Sequence, residues 1–205
     1  MGGLCIKSDY IDYYDYLHNE NSIVTYKRYL SDCKQRGTAL KYLRSLGIKT
    51  ITIKPVSDYI GYDGYLLVYT DTKGHHGTGK KILTVQEAMQ SYSNCAATQF
   101  YSDSNFLTAK FLQIGKRRFT MYFKKSNEYS LSVGTLIDIR ETPSEYNRLI
   151  SLPIFSIDYI CVNNEMLATD FNEVEYLKGL NVDNFMSAEQ VVDEIRRAVI
   201  VYNKI

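Results

Sequence analysis

Apolar positions along this chain follow helical spacing in some stretches and strict alternation in others. In "TALKYLRSLG", Leu40, Leu43 and Leu46 recur at helical spacing and Gly47 supplies a stop, so "SIVTYKRYLSDCKQRGTALKYLRSLGIKT" reads as helix. "IKTITIKPV" then reads as a short strand ended by Pro55, and "SDYIGYDGY" as a turn-rich connector. "YLLVYT", Tyr65 to Thr70, reads as a buried strand. After a glycine-rich loop, "KKIL" looks extended, and Thr84 to Glu87 form a capping box heading the helix "VQEAMQSYS". "TAKFLQIGKRRFTMYFKKS" predicts strand, tight turn at Gly115-Lys116, strand, and "YSLSVGTLIDIRE" predicts another strand. Two strand-like runs flank Asn163-Asn164 in "FSIDYICVNNEMLATDFNEVEYLKGL". The last segment, "SAEQVVDEIRRAVIVY", predicts a helix capped by Ser187 with Gln190, whose apolar stripe is Val191, Val192, Ile195, Ala198, Val199 and Tyr202. Mostly antiparallel strands with flanking helices make an α+β fold.

Composition narrows the function little. The 205 residues suffice for one large domain or two subdomains, and 45% hydrophobic with 23% charged residues is ordinary for a globular chain. A net charge of +1 gives no global field for nucleic acid or an acidic membrane surface, and no stretch approaches a membrane span. The start lacks a secretory pattern, and the serine that the myristoylation motif begun by Gly2 wants at its sixth position comes only after Lys7. Cys5, Cys33, Cys95 and Cys161 are scattered, with no C-x-x-C, which predicts reduced thiols and a cytoplasmic protein. The 19 tyrosines, clustered in "DYIDYYDYL", read as half-buried rings with wet hydroxyls, or as an aromatic surface for a protein partner.

Two stretches carry candidate chemistry. "GHHGTGKK", Gly74 to Lys81, comes within one residue of a P-loop, but Lys81 stands where the magnesium-binding hydroxyl belongs. A P-loop also opens directly into a helix, whereas here a strand intervenes. A glycine-rich hairpin tip can still cradle phosphate through its backbone N–H groups, with Lys73, Lys80 or Lys81 adding charge. Taken alone, the same residues read first as a plain mobile hairpin tip. His75 and His76 are adjacent and so point apart, which argues against a metal pair.

The second stretch is acidic. A three-residue loop, Asn163 to Glu165, would set Val162 opposite Met166, Ile160 opposite Ala168 and Asp158 opposite Asp170, with Asn172 two residues on. Like charges directly opposite repel, so a cation is expected between them. Two carboxylates and an amide oxygen are hard ligands suited to Mg²⁺ or Mn²⁺ with phosphates. A register shifted by one, or a solvated end of the face, would leave the acids merely hydrated, and the pattern alone leaves both readings open.

Asp158, Asp170 and Asn172, twelve and two residues apart, resemble the metal-binding hairpin of the ATP-grasp family, with Asp170 where the family has Glu. "GHHGTGKK" is similar to that family's phosphate lid, through Gly74, Gly77 and Gly79. "GKRRFTMYF" is similar to the strand whose arginine contacts phosphate or acyl phosphate, with Arg118 the closest match and Arg117 beside it. "RGTALKYLRSLGIKT" resembles the helix and strand that open the core. The resemblance implies an ATP-grasp-like α+β fold in two subdomains, 36–110 and 111–205, after a reduced N-terminal region 1–35. It implies ATP as ligand, with Lys73, Gly74, Gly77, Thr78, Gly79 and Lys80 at the phosphates, and an adenine hinge near "AKFLQIG", which contains Lys110. It implies Mg²⁺ or Mn²⁺ on Asp158, Asp170 and Asn172, and a ligase reaction in which a small-molecule or peptide carboxylate becomes an acyl phosphate, stabilised by Arg118 and Arg117, before a nucleophile attacks. The departures are Thr70 in place of the usual lysine before the lid, Glu175 in place of a proline, and the short N-terminal region. They motivate the alternative of a degenerate module that binds a protein partner without catalysis. A homodimer would supply the missing substrate wall.

Overall fold

The structure is a computed structural model that describes residues 6–7, 10–11, 36–70, 79–101, 107–127, 130–131, 134–142, 154–172 and 182–202. Near the start, β1 (Ile6–Lys7) and β2 (Tyr10–Ile11) pair as a short antiparallel ladder. The first described helix, α1, spans Arg36–Ser45 and buries Leu40 and Leu43. It ends as its sequence predicts: Gly47 takes φ +81° and donates to Arg44 O at 3.0 Å, while Ile48 N donates to Leu43 O at 3.1 Å. Those two bonds satisfy carbonyls that the helix end leaves open.

Residues 48–53 correct the expected strand. Only Thr50 bridges, in parallel, to Ala168, and a two-residue strand β3 (Lys54–Pro55) follows in a different sheet. The chain crosses here from one sheet to the other, so it cannot keep one pairing neighbour. Pro55 lies inside the short pairing, opposite Ala96, and leads into a single 3₁₀ turn, Val56–Tyr59.

β4 (Tyr65–Tyr69), β5 (Lys80–Thr84) and β6 (Ala96–Gln99) complete an antiparallel four-stranded sheet in the order β3-β6-β4-β5. The β6 strand has no counterpart in the sequence reading. Between β5 and β6 lies α2 (Val85–Tyr92), whose capping box forms as expected: Thr84 Oγ1 accepts from Glu87 N, and the Glu87 carboxylate accepts from Thr84 N. The carboxylate accepts from Thr84 N and also from Thr84 Oγ1, and these two bonds hold the Glu87 carboxyl below its ordinary pKa. Val56, Tyr59, Leu66, Val68, Ala88 and Ala97 make a small core under this sheet.

The second sheet is larger. β7 (Leu107–Ile114), β8 (Arg117–Lys124), β9 (Thr135–Glu141), β10 (Ile154–Val162) and β11 (Glu165–Asn172) run in the order β11-β10-β7-β8-β9, antiparallel throughout. The larger core lies on this sheet and packs it against α1 through contacts such as Tyr42–Phe171, while Phe155 and Phe171 meet within the sheet. The final helix, α3 (Ala188–Tyr202), starts at Ser187, whose Oγ accepts from Gln190 N at 3.2 Å while Gln190 Oε1 accepts from Ser187 N. Val191, Val192 and Ile195 are buried, as the stripe predicts. The sheets divide between Gln99 and Leu107, so the expected boundary at residue 110 falls inside β7. Among the described residues no helix is long and apolar enough to cross a membrane.

Candidate functional site

The acidic hairpin folds by a route different from the one its pattern predicts. The turn has two residues, Asn163 and Asn164, both at positive φ (49° and 64°), which matches the twist of the flanking strands. Val162 therefore pairs with Glu165 and Ile160 with Leu167, not with Met166 and Ala168 as expected. That register alone would bring Thr169, not Asp170, opposite Asp158. A bulge between Asp158 and Tyr159 takes up one extra residue, Thr169, whose Oγ1 donates to Asp158 O at 3.1 Å. Asp158 pairs with Asp170 after all. The expected pairing stands, but two departures from the assumed geometry cancel to produce it.

Asp158 also pairs with Lys110 on its other side. Asp170, Asp158 and Lys110 thus form one row across β11, β10 and β7, on one face. Lys110 Nζ lies 2.8 Å from Asp158 Oδ1 and donates to Ser156 Oγ at 3.3 Å. Asn172 Nδ2 donates to the same Ser156 oxygen at 3.3 Å and to Asp158 Oδ2 at 3.4 Å, leaving its Oδ1 as the remaining acceptor. Lys110 is 8% exposed and Ser156 fully buried, whereas the Asp158 side chain is 37% exposed. The acid pair therefore meets a cation supplied by the chain itself, from the buried side, and offers its open side to solvent. Two carboxylates and an amide oxygen are donors that fit Mg²⁺ or Mn²⁺. Among the described residues no cluster of three or more His, Cys, Asp or Glu offers a competing metal site.

The row sits in the wall of a cleft between the two sheets. From the smaller sheet come Leu67, Tyr69, Lys80 and Thr98; from the larger, Lys110, Phe123, Asp158 and Asp170. Gln99, Phe100 and Tyr101, at the end of β6 and just beyond, line it where the chain passes between the sheets. The sequence reading missed this strand end because Ala96-Ala97-Thr98-Gln99 lacks a strong β pattern, and Ala109 and Lys110 of the expected "AKFLQIG" hinge segment line the cleft as well. The cavity measures about 200 Å³. That is below the ~300–1,000 Å³ of a typical ligand pocket.

The other expected residues divide. Gly79 takes φ +70° and its carbonyl accepts from Thr70 N at 2.8 Å, closing the base of the β4–β5 hairpin. Lys80 follows, its ammonium 6.0 Å from the Tyr69 ring. Lys73, Gly74, Gly77 and Thr78, with the rest of the expected lid, lie outside the described residues, as do residues 12–35 of the N-terminal region. Arg117 and Arg118 do not line the cleft. Both lie at the far end of β8, beside the Gly115-Lys116 turn. Arg117 forms a two-pronged pair with Glu141 at 3.0 and 3.2 Å, which raises the arginine pKa and holds the Glu141 carboxyl low. Arg118 is three residues from Met121, the register partner of Lys110, so it points to the opposite face, where Nε donates to Gln113 Oε1 at 3.2 Å. Lys125, which sequence reading left as the end of a strand, does line the cleft.

No protein-family model matches the sequence, and no curated protein does. Solved structures do match. Carboxyaminoimidazole ribonucleotide synthase from Aspergillus clavatus complexed with ATP aligns over 92% of this chain with a TM-score of 0.54 and 11% identity. The chain has the ATP-grasp fold. The ATP-grasp ligase PsnB, complexed with precursor peptide PsnA2 and AMPPNP, aligns over 82% of the chain at TM-score 0.57 and 11% identity. D-alanine–D-alanine ligase from Bacillus anthracis, complexed with ATP, aligns over 84% at TM-score 0.52 and 12% identity. The chain spans 57%, 59% and 68% of those three structures, respectively. ATP-grasp is thus the architecture of this α+β chain, with its two antiparallel sheets facing one cleft.

Proposed function

We propose that this protein binds ATP with Mg²⁺ or Mn²⁺ in the cleft and acts as a ligase that activates a carboxylate as an acyl phosphate for an amine or another nucleophile. The observation that carries the reading is the cross-strand row Asp170–Asp158–Lys110 in the wall of a cleft between two sheets of ATP-grasp architecture. Asp158, Asp170 and the Asn172 amide oxygen would hold the metal, which supplies charge neutralisation at the phosphates. Leu67 and Tyr69 face the larger sheet across the cavity and offer an apolar seat for the base. Lys80 follows the lid and would meet phosphate oxygens. Lys110 takes the charge-stabilising role that the sequence assigned to Arg118 and Arg117, because it is the buried cation at the acid row. Such a site works by positioning and electrostatics, with no protein nucleophile. A small-molecule or peptide carboxylate is the substrate class this chemistry requires.

The position of the two arginines favours a second reading, a degenerate module that binds nucleotide and acts through a protein partner. Calorimetric titration of ATP, with and without Mg²⁺, into wild type and Asp170→Ala tests the shared part. Mg²⁺-dependent binding in wild type, weakened about tenfold or more in the folded variant, is expected. No binding to a folded wild type would reject the nucleotide site. ADP release that requires an added carboxylate then separates the ligase from the binding module.

A further inference from the structure

Lys125 stands one residue past the end of β8 and is half-buried in the cleft wall, which also carries Tyr101, Phe123 and Leu131. Among the described residues no carboxylate lies within ion-pair distance of its ammonium and no acceptor takes a hydrogen bond from it. Burial pushes its pKa below the ordinary lysine value. The other two cleft lysines are placed differently: Lys110 is neutralised by Asp158 at 2.8 Å, and the Lys80 ammonium lies over the Tyr69 ring. Holding a desolvated cation without a counter-charge is costly, and folded proteins ordinarily pair such a group. Retained in a ligand cleft, it marks where an anion of the ligand is received.

Register places this cation away from the acid row. Met121 on β8 pairs with Lys110, which pairs with Asp158, and Lys125 lies four residues beyond Met121. With about 4.8 Å per strand and about 3.3 Å per residue, the backbones of Lys125 and Asp158 are roughly 16 Å apart. Phosphates gathered at Asp158 and Asp170 lie at the other end of this wall.

We propose that Lys125 is an anion-binding residue of the cleft and that it receives a carboxylate of the co-substrate rather than the phosphates of the nucleotide. The inference rests on the nucleotide reading of the cleft and deepens it, because the distance from the acid row means that the co-substrate carries a second carboxylate, held on the β8 side, besides the one activated at the phosphates.

The test uses the intact chain with its lysines reductively methylated with ¹³C-formaldehyde, so that each amine gives an NMR signal. Lys125→Arg, Lys80→Arg and Lys110→Arg assign the three cleft lysines. Mg²⁺·AMPPNP is added first, then acetate, glutarate or inorganic phosphate. AMPPNP is expected to move the Lys80 and Lys110 signals, and glutarate then to move the Lys125 signal saturably. In unmethylated protein, Lys125→Met is expected to weaken glutarate binding about tenfold and to leave AMPPNP affinity within about twofold. A Lys125 signal that responds fully to AMPPNP alone overturns the proposal and gives this lysine to the nucleotide. A signal indifferent to glutarate, acetate and phosphate, with AMPPNP bound, overturns it as well. If Lys125 answers to glutarate while Lys80 and Lys110 ignore AMPPNP, the nucleotide reading fails and the anion site stands.

Discussion

Lys110 shows how one residue changes the meaning of its neighbours. Two aspartates opposite each other on a sheet repel, and a bound metal is the simplest remedy visible in sequence. The fold provides another, an ammonium 2.8 Å from Asp158, on the adjacent strand. When a metal ion binds the open side of the pair, it competes with that ammonium for the same carboxylate. Lys110→Met should therefore lower stability by about 1–2 kcal/mol, less than for a fully buried pair because Asp158 is partly solvated. The same variant should bind Mn²⁺ without nucleotide more tightly than wild type, and Mn²⁺ should raise its melting temperature more. Thermal melts with and without Mn²⁺ measure both effects. A variant with unchanged stability and Mn²⁺ response would show that Lys110 does not offset the acid pair.

At the scale of elements, turns and a bulge decide which faces the side chains reach. The Asn163-Asn164 turn and the bulge at Thr169 together set Asp170 beside Asp158, and either alone would turn one acid away. The Gly115-Lys116 turn has a different task, docking the larger sheet on α3. Gly115 takes φ +59°, a Cβ there would lie 2.5 Å from the Glu194 carbonyl oxygen, and Lys116 N donates to Glu194 Oε2 at 3.0 Å. Gly115→Ala should cost about 2 kcal/mol, from the positive φ and the forced separation of turn and helix. Chemical denaturation measures it, and a loss below a few tenths would mean that α3 shifts freely.

For the whole molecule, the cleft has walls from both sheets, and each sheet has its own core. A ligand that bridges the walls should couple two units that otherwise rest on separate packing. Mg²⁺·AMPPNP is expected to slow amide exchange both in Tyr65–Tyr69 with Ala96–Gln99 and in Ile154–Val162, because binding stabilises every opening that breaks the cleft. Protection confined to one sheet would place the ligand outside the shared cleft. The arginines also belong to this scale. Their position along β8 puts them beside the α3 contact, far from the acid row, and only the arrangement of strands determines that.

The sequence by itself determined the elements with strong local signals. The Thr84–Glu87 and Ser187–Gln190 capping boxes, the Gly47 stop, the Gly115 turn and the strand alternation depend on residues a few positions apart, so the chain states them locally. It also determined that Asp158, Asp170 and Asn172 share a hairpin, since that hairpin is contiguous. Tertiary structure decided the rest. A four-residue strand of small side chains forms because neighbours on both sides pair with it, and residues 48–53 lose their strand because they must cross between sheets. Lys110 meets Asp158 from 48 residues away, Lys125 reaches the cleft, and Arg118 turns from it, because pairing register and strand order are set by contacts between segments distant in the chain, and no local pattern encodes those.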